Sequence, residues 1–349
     1  MPAFRAPGRV NLIGEHTDYS EGFVLPLAID LECVVRSSPG GDVVHARSHA
    51  EPGEVELTPD GGGEAAGWGR TVAAVLEVLS ERGRSPAGFR AEVTSTLPVG
   101  AGLSSSAALE VSLALAACDA AGFELPPVEL ALACQEAEHR ASGMPCGIMD
   151  QLASVAGKRD CALLIDCRSL DVRAVPLPRD VAVLVVHSGM PRALAGSAYA
   201  ERRRACEEAA AALGLRALRD ATPAQVRDVP RARHVVSENA RVVAAVEALE
   251  RGDGAELGRL LGESHASLRD DFEVSTPELD ALVEALVAAG ALGARLTGAG
   301  FGGCVVALAR RANAERVLFD ALARYHSETG LEPTPYDVRA VDGAGAVPA

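Results

Sequence analysis

The chain is poor in lysine: Lys158 is the only one among its 33 basic residues, and the other 32 are arginine. A nucleotide-binding P-loop needs Gly-Lys-Ser/Thr, and a protein-kinase lobe needs a strand lysine and a His-Arg-Asp loop. Lys158 stands in a Gly-Lys-Arg-Asp sequence, so both sites are excluded. Any mechanism that requires a lysine has to use this one.

The chain also lacks net positive charge, since its formal charge is −15 at pH 7. Nucleic-acid binding draws on many basic contacts along one face, so this balance argues against such a partner, although a small anion can still be held locally. Apolar runs that approach the roughly 18 residues of a membrane span are interrupted by Ala and Gly, and no signal-like segment opens the chain. We expect a cytoplasmic monomer with no nucleic-acid or membrane partner.

The eight cysteines form no C-x-x-C pair, and several lie in apolar runs. They are typical of reduced core residues rather than of disulfides or a zinc site. Aromatic residues make up only 3% of the chain and apolar residues 48%, so the core must consist mainly of Ala, Leu and Val. A length of 349 residues favours two lobes, which we place at 1–175 and 176–349.

The local patterns predict a mixture of helices and strands. Strand-like stretches lie at 23–37, 42–46, 88–97, 161–170, 181–189, 293–309 (two runs around a glycine loop) and 336–341. Helical patterns lie at 67–83, 104–122, 127–140, 197–214, 231–252 and 276–290, and a further helix precedes the last strand. Ser275 or Thr276 is the predicted N-cap of the helix that stops at Gly290. Arg202 to Arg204 and the pair Asp270 and Asp271 are interpreted as solvated or structural charges.

Two glycine loops are candidates for ligand binding. Gly100 to Ser106 leads directly into an apolar helix, where free backbone N–H groups and the helix dipole favour an anion. The alternative is a tight turn in which Ser104 is a plain N-cap. The loop at 298–303 resembles a dinucleotide-binding G-x-G-x-x-G, but it lies between two strands and opens no helix, so an ordinary connection is its alternative.

Two carboxylates follow the first glycine loop. Glu138 lies near the end of a helix, where a solvated face is the simplest interpretation. Asp150 is embedded among Met, Cys, Ile and Leu, and a buried acid without a partner has a raised pKa that a nearby arginine restores. Asp150 is therefore a candidate base or hydrogen-bond acceptor, with a structural helix cap as its alternative.

The stretch GRVNLIGEHTDY at 8–19 concentrates polar side chains near the start of the chain. It resembles the signature of the galactokinases, members of the GHMP small-molecule kinase superfamily. PVGAGLSSSAA is similar to the phosphate loop of that superfamily, and LTGAGFGGC resembles its third motif. The likeness also includes AEHRASGMPCGIMDQ, CALLIDCRSL and ESHASLRDDFEVS, and it extends from about residue 6 to 310.

The resemblance implies an α+β, two-lobed GHMP kinase fold. Its N-terminal lobe would be like domain 2 of ribosomal protein S5, its C-terminal lobe ferredoxin-like, and its active site would lie between them. It implies phosphorylation of the C1 hydroxyl of galactose by ATP with Mg²⁺. Phosphoryl transfer depends on alignment and charge neutralisation, which arginine, a helix N-terminus and a metal can supply without a lysine.

By the same resemblance, each candidate residue takes a role. The residues that hold sugar hydroxyls are Glu15, His16, Asp18, Gly147, Asp150 and Tyr199. Asp150 accepts the proton of the C1 hydroxyl, while Arg9 stabilises the transferring phosphoryl group and keeps Asp150 ionised. The loop around the ATP phosphates comprises Gly100, Ala101, Gly102, Leu103, Ser104, Ser105 and Ser106. Ser106 and Glu138 are the implied Mg²⁺ ligands, and Trp68 and Ser48 contact the nucleoside.

Two other functions remain open from the sequence. One is a kinase for a related sugar, such as N-acetylgalactosamine or galacturonate. Thr17 favours plain galactose, because the N-acetylgalactosamine enzymes resemble EHIDY where this chain has EHTDY. The other is a galactose sensor without turnover; such relatives lack part of the Ser-Ala stretch of the phosphate loop, which is intact here.

Overall fold

The computed structural model describes residues 1–98, 100–190 and 195–347. Its helices are α1 (Gly69–Glu81), α2 (Ser105–Ala121), α3 (Pro127–Ser142), α4 (Met149–Ala156), α5 (Ala195–Ala212), α6 (Pro230–Arg251), α7 (Gly254–Asp270), α8 (Pro277–Ala288) and α9 (Ala314–Thr329). Its strands are β1 (Ala3–Asn11), β2 (Phe23–Val24), β3 (Pro26–Pro39), β4 (Val44–Ser48), β5 (Glu54–Leu57), β6 (Phe89–Ser95), β7 (Cys161–Asp166), β8 (Val172–Pro176), β9 (Val181–His187), β10 (Gly293–Thr297), β11 (Cys304–Arg310), β12 (Thr334–Asp337) and β13 (Gly345–Ala346). In this part of the chain, no helix is both long and apolar enough to cross a bilayer.

The first sheet has the order β13-β1-β3-β6-β4-β5, and all its pairs are antiparallel except β4 with β6. Helix α2 packs against β1 and β3 and also against α1, α3 and α4. A helix covered on so many sides must be apolar nearly all round, and most of its side chains are buried. This places the glycine loop before α2 directly beside β1.

The second sheet has the order β10-β11-β9-β12 and is antiparallel throughout. Helices α7 and α8 pack against β10, and α8 packs against α9. A small third sheet, β2-β7-β8, contacts β3 through β7. The glycine loop between β10 and β11 begins beside the end of β1. At this point Asn11, the last residue of β1, donates its backbone N–H to the hydroxyl of Thr297, the last residue of β10, at 3.1 Å.

Most of the predicted elements are confirmed within a few residues, including the Thr276 side-chain cap of α8, which accepts from the Leu279 N–H at 3.3 Å. Six elements lie outside the predicted stretches: β1, β5, α4, β8, α7 and β13. Of these, α7 has a recognisable cap, because Asp253 accepts from the Glu256 N–H. The strand predicted at 336–341 is β12 at Thr334–Asp337, because the chain leaves the second sheet there and Ala340 bridges to Ile29 of the first.

The end of the described chain returns to the first sheet. β13 pairs with β1, and the Ala340 carbonyl accepts from the Asp160 N–H at 3.2 Å. The predicted division between residues 175 and 176 falls inside β8 and stays a prediction.

Candidate active site

A cavity of about 230 Å³ lies where β1, α2, α4, α5 and the β10–β11 loop meet. It is lined by Arg9, Glu15, His16, Asp18, Gly100, Gly102, Ser104, Ser105, Ser106, Glu138, Met144, Cys146, Gly147, Met149, Asp150, Tyr199, Gly298 and Ala299. These residues come from distant parts of the sequence, so the fold concentrates them at one place.

Most of the predicted site residues line this cavity, and four do not. Ala101 and Leu103 belong to the glycine loop but are buried beneath it. Trp68 is the buried residue before α1, and the Ser48 hydroxyl at the end of β4 accepts the N–H groups of Ala50 and Glu51. The nucleoside contacts of Trp68 and Ser48 stay predictions.

Asp150 is paired with an arginine, as its apolar surroundings require. Its Oδ1 lies 2.6 Å from Nη2 of Arg9, and its Oδ2 accepts the Ser104 hydroxyl at 2.6 Å. Burial would lower the pKa of Arg9, but the neighbouring carboxylates, first Asp150 and then Glu15, outweigh it and raise that pKa. The Asp150 side chain thus bonds to Arg9 and Ser104 rather than capping α4, whose N-cap residue is Ile148.

Arg9 also fixes the glycine loop, because its Nη1 donates to the Gly102 carbonyl at 2.7 Å. The loop approaches β1 so closely that a Cβ at Gly8 would lie 2.4 Å from the Leu103 carbonyl oxygen. Ser104 has φ +60°, and its side chain bonds to Asp150 instead of capping α2, so the plain N-cap interpretation is wrong. Among the described residues, the N–H groups of Ser105, Ser106 and Ala107, the first three of α2, have no protein acceptor, which suits them for an anion.

Glu138 faces the cavity rather than solvent alone. Its Oε1 accepts the Ser106 hydroxyl at 2.9 Å, and its Oε2 accepts the Gln151 amide at 2.6 Å and the Cys146 thiol at 3.2 Å. Burial and the nearby Glu138 charge raise the pKa of the Cys146 thiol, so it stays protonated and can donate. Burial, with Glu138 again as the neighbouring charge, also raises the pKa of Glu110 well above its ordinary value.

Ser106 and Glu138 fit a magnesium ion as partial ligands. Their oxygens are 2.9 Å apart, close to the edge of about 3 Å in an octahedron with ligands at about 2.1 Å. No cluster of three or more His, Cys, Asp or Glu side chains within the described ranges is arranged to hold a metal. Mg²⁺ commonly binds through one carboxylate, water and substrate phosphates, which matches this sparse donor set.

Glu15 is anchored by the loop after β10. Its Oε1 accepts the Gly298 N–H at 2.6 Å and the Thr297 hydroxyl at 3.1 Å, and lies 3.5 Å from Nη2 of the fully buried Arg295. These contacts all use Oε1, so Oε2 remains for a ligand. The glycine loop at 298–303 therefore does more than connect two strands.

The ring of His16 is neutral and occupied by protein contacts. Burial and then the neighbouring His234 lower its pKa to about 3. Its Nε2 lies 3.2 Å from the Ala299 carbonyl, which can only accept, so Nε2 carries the proton. Nδ1 then accepts the Tyr19 hydroxyl at 2.9 Å. A sugar contact through this residue would have to use its backbone or ring edge.

Asp18, Gly147 and Tyr199 meet at one corner of the cavity. A Cβ at Gly147 would lie 1.8 Å from Oδ2 of Asp18, so any larger residue there would displace the Asp18 carboxylate. Burial raises the pKa of the Tyr199 hydroxyl well above its ordinary value, and the nearby Gly147 backbone N–H offsets this only in part. Burial and then Asp150 raise the pKa of Asp18 to about 6. Thr17 lies outside this corner, since its hydroxyl donates to the Gly14 and Phe23 carbonyls.

Several side chains that support the site have no recognisable signal in the sequence. Tyr19 orients His16, Arg295 backs Glu15, and Gln151 holds Glu138. Tyr19 and Gln151 adjoin predicted residues, but their spacing reveals no partner. Arg295 precedes a glycine loop, and only the fold brings it to Glu15.

The comparisons with known proteins define the class. Residues 70–158 match the GHMP kinases N terminal domain, and residues 245–327 match the GHMP kinases C terminal domain. The α+β GHMP kinase fold is thus confirmed. The mevalonate kinase of Methanococcus jannaschii shares it, with a TM-score of 0.70 at 20% identity, over 97% of this chain and 98% of that one.

Closer relatives identify the family. Residues 2–39 match the galactokinase galactose-binding signature. The chain is 47% identical to a galactokinase of Roseiflexus sp. (strain RS-1) over 98% of its own length and 92% of the relative's. The Lactococcus lactis galactokinase, solved in complex with galactose, has a TM-score of 0.95 at 33% identity and covers 99% of this chain and 95% of its own. The chain belongs to the galactokinase family.

Proposed function

We propose that this protein transfers the γ-phosphoryl group of ATP to the C1 hydroxyl of α-D-galactose, giving galactose 1-phosphate and ADP. Its family membership and the galactose-binding signature at 2–39 support the substrate and the reaction. The observation that carries the proposal is that one cavity joins the Arg9–Asp150 pair to the glycine loop that opens α2.

Asp150 is the proposed proton acceptor. Its Oδ1 pairs with Arg9 at 2.6 Å, and its Oδ2 accepts the Ser104 hydroxyl at 2.6 Å, the position that we propose for the sugar hydroxyl. As the C1 oxygen forms its bond to the γ-phosphorus, the bond from that phosphorus to the bridging oxygen of ADP breaks. The hydroxyl proton passes to Asp150. General-base catalysis of this kind contributes about 10² to 10⁴ in rate.

The N–H groups at the start of α2 and the Arg9 guanidinium are the proposed donors to the phosphates. Both are fixed before substrate arrives, so neutralising the developing charge requires little reorganisation. Ser106 and Glu138 would hold Mg²⁺, which would supply further neutralisation of the ATP phosphates. Lys158 is exposed and takes no part.

The sugar is oriented at the opposite end of the cavity. Oε2 of Glu15, the Asp18 carboxylate and the Gly147–Tyr199 corner are the proposed contacts, and His16 completes the pocket. Buried polar groups that lose their partner penalise a wrong substrate strongly, so such a pocket can separate sugar epimers. Trp68 and Ser48 are proposed at the nucleoside end.

The test is product formation from a panel of sugars. Purified protein with Mg·ATP is incubated with galactose, N-acetylgalactosamine, glucose or galacturonate, and sugar phosphates are followed by mass spectrometry, with Asp150→Asn as the isosteric control. Galactose 1-phosphate as the dominant product supports the proposal. Preference for another sugar overturns the substrate assignment, and sugar binding without product from the unmodified protein identifies a sensor.

A further inference from the structure

The three consecutive arginines of α5 have different surroundings. Arg204 is exposed and lies 3.6 Å from the equally exposed Glu208. Arg202 is buried and donates to the backbone carbonyls of Phe272 and Glu273 at 2.7 and 3.0 Å. Only Arg204 is thus a solvated charge. Arg203 contacts a segment that carries part of the site.

Arg203 reaches from α5 to the turn between α3 and α4, 58 residues earlier in the chain. Its Nη1 donates to the Pro145 carbonyl at 2.6 Å and lies 3.5 Å from the Cys146 carbonyl. Its Nε donates to Glu207 at 2.7 Å, which balances the charge. The guanidinium also lies 5.9 Å from the centre of the Tyr19 ring, whose hydroxyl orients His16.

The turn that Arg203 holds contains Gly147, and α5 also carries Tyr199. Tyr199 and Arg203 are four positions apart in α5 and therefore lie on one face of the helix. Arg203 holds the turn at Pro145, and Gly147, two residues further on, lines the same cavity as Tyr199. Because a Cβ at Gly147 would lie 1.8 Å from Asp18, even a small shift of this turn changes the corner where all three groups meet.

We propose that Arg203 is a positioning residue for the sugar end of the cavity. It fixes the Pro145–Cys146 peptide, and thereby holds Gly147 against Asp18 and Tyr199. This inference rests on the proposed galactose kinase activity and adds a residue to it that touches no substrate.

Side chains of α3 also contact this turn, but the Pro145 carbonyl is bound by Arg203 of α5. Gln135 and His139 contact the Cys146 carbonyl at 3.2 and 2.9 Å, which holds the next peptide but not the Pro145 carbonyl. Glu138 accepts the Cys146 thiol of this turn at 3.2 Å, but its shorter contacts, with Gln151 at 2.6 Å and Ser106 at 2.9 Å, come from α4 and α2, which Arg203 does not contact. Loss of Arg203 should therefore weaken sugar binding while the ATP end stays intact.

The test compares Arg203→Met, which keeps an apolar stem but no donor, with Arg203→Lys and the exposed control Arg204→Met. For each protein, kcat, the KM values for galactose and ATP, and the melting temperature with and without galactose are measured. A hydrogen bond from a charged donor corresponds to about a tenfold change in an equilibrium constant or more. We expect the galactose KM of Arg203→Met to rise about tenfold and the ATP KM to stay within about twofold.

Arg203→Lys should recover part of the loss, because an ammonium can donate to one carbonyl, and Arg204→Met should match the unmodified protein. An unchanged galactose KM in Arg203→Met overturns the inference. So does an equal rise of both KM values with a lower melting temperature, which would show a general structural role. If Arg203→Met does not fold, the KM values for galactose and ATP are compared between Arg203→Lys and the unmodified protein instead. A rise in the galactose KM alone supports the inference, and an unchanged galactose KM overturns it. An unmodified protein that forms no galactose 1-phosphate refutes the proposed function instead.

Discussion

The two ends of the cavity differ in burial and in how many of their polar groups already have protein partners. At the sugar end, Glu15 and His16 are buried, and Oε1 of Glu15 and both ring nitrogens of His16 already have protein partners. At the phosphate end, Gly100 and Ser106 are exposed, and the N–H groups that open α2 have no protein acceptor in the described chain. The sugar pocket is preformed, whereas the phosphate end leaves its donors for the ligand.

This difference follows from which parts of the chain support each end. The sugar-binding loop is held by α6: Glu238 accepts the Gly14 N–H at 2.9 Å, and His234 contacts the Glu15 carbonyl at 3.1 Å. Burial would raise the pKa of Glu238, but Arg241 first and His234 next outweigh it and lower that pKa to about 2. Removing one partner of such a buried pair costs about 3–5 kcal/mol. Buried side chains of α6 therefore support the sugar-binding loop, whereas the glycine loop is held in place by Arg9 but leaves its own N–H groups for the nucleotide.

The largest expected effect lies where the two ends meet. Asp150→Asn keeps the shape of the side chain but removes the proton acceptor, so we expect kcat to fall about 10³-fold. A coupled assay of ADP release measures this, and the galactose-induced rise in melting temperature shows whether sugar still binds. Near-normal turnover by the folded variant would contradict the proposed role of Asp150.

The next effect is specific to the phosphate end. Glu138→Gln removes a carboxylate that fits Mg²⁺, and the loss of even a supporting residue around a metal costs about 10–100-fold in affinity. We expect the Mg²⁺ concentration for half-maximal activity to rise at least about tenfold. Binding of Mn²⁺, followed by electron paramagnetic resonance, provides a readout that does not depend on turnover.

A matched control for this variant lies on the same helix. Glu136 pairs with Arg82 and Arg140 away from the cavity, so Glu136→Gln should leave the metal requirement unchanged. If the two variants need the same Mg²⁺ concentration for half-maximal activity, Glu138 is not a ligand of the metal. They would also weaken the contrast between the two ends.

At the sugar end, the pH dependence of Asp18 provides a sharper test. Its pKa is raised to about 6 by burial and by Asp150, so between about pH 4 and 6 the folded protein binds more protons than the unfolded chain, and stability falls as pH rises. Above pH 6 the buried charge is destabilising. Asp18→Asn should therefore melt at a higher temperature than the unmodified protein at pH 7, and this advantage should vanish toward pH 4.

The same variant should lose sugar recognition. We expect kcat/KM for galactose at pH 7 to fall about tenfold or more, because a charged acceptor has been replaced. Asp119→Asn, on the exposed end of α2, is the control for general effects of charge. A melting advantage that is the same at pH 4 and pH 7 would argue against a buried Asp18 charge.

The parts of the site that follow local rules were predictable from the sequence. The glycine loop before α2 and the need of an acid in apolar surroundings, Asp150, for an arginine both follow from residue type and neighbours. The contacts of Glu238 and Arg203 do not, because their partners are backbone groups at sequence separations of 224 and 58 residues. A carbonyl or N–H group has no identity in the sequence, so only the fold reveals which one a buried side chain binds.

The smallest expected effect concerns Lys158, the only lysine of the chain. Lys158 lies after α4, is exposed, and has its nearest carboxylate, Asp342, at 3.9 Å. Such a weak surface pair contributes less than about 1 kcal/mol. Since Lys158 does not line the cavity, Lys158→Met should keep kcat and both KM values within about twofold.

This null result carries weight because Lys158→Met removes the last lysine from the chain. Full activity in that variant would mean that arginine, backbone N–H groups and the metal suffice to neutralise the transferring phosphoryl group. A loss of kcat with an unchanged melting temperature would instead place a lysine in the reaction. Because Lys158 does not line the cavity, that outcome would require a rearrangement on ATP binding. The sugar end and the phosphate end of the cavity could then no longer be treated as independent.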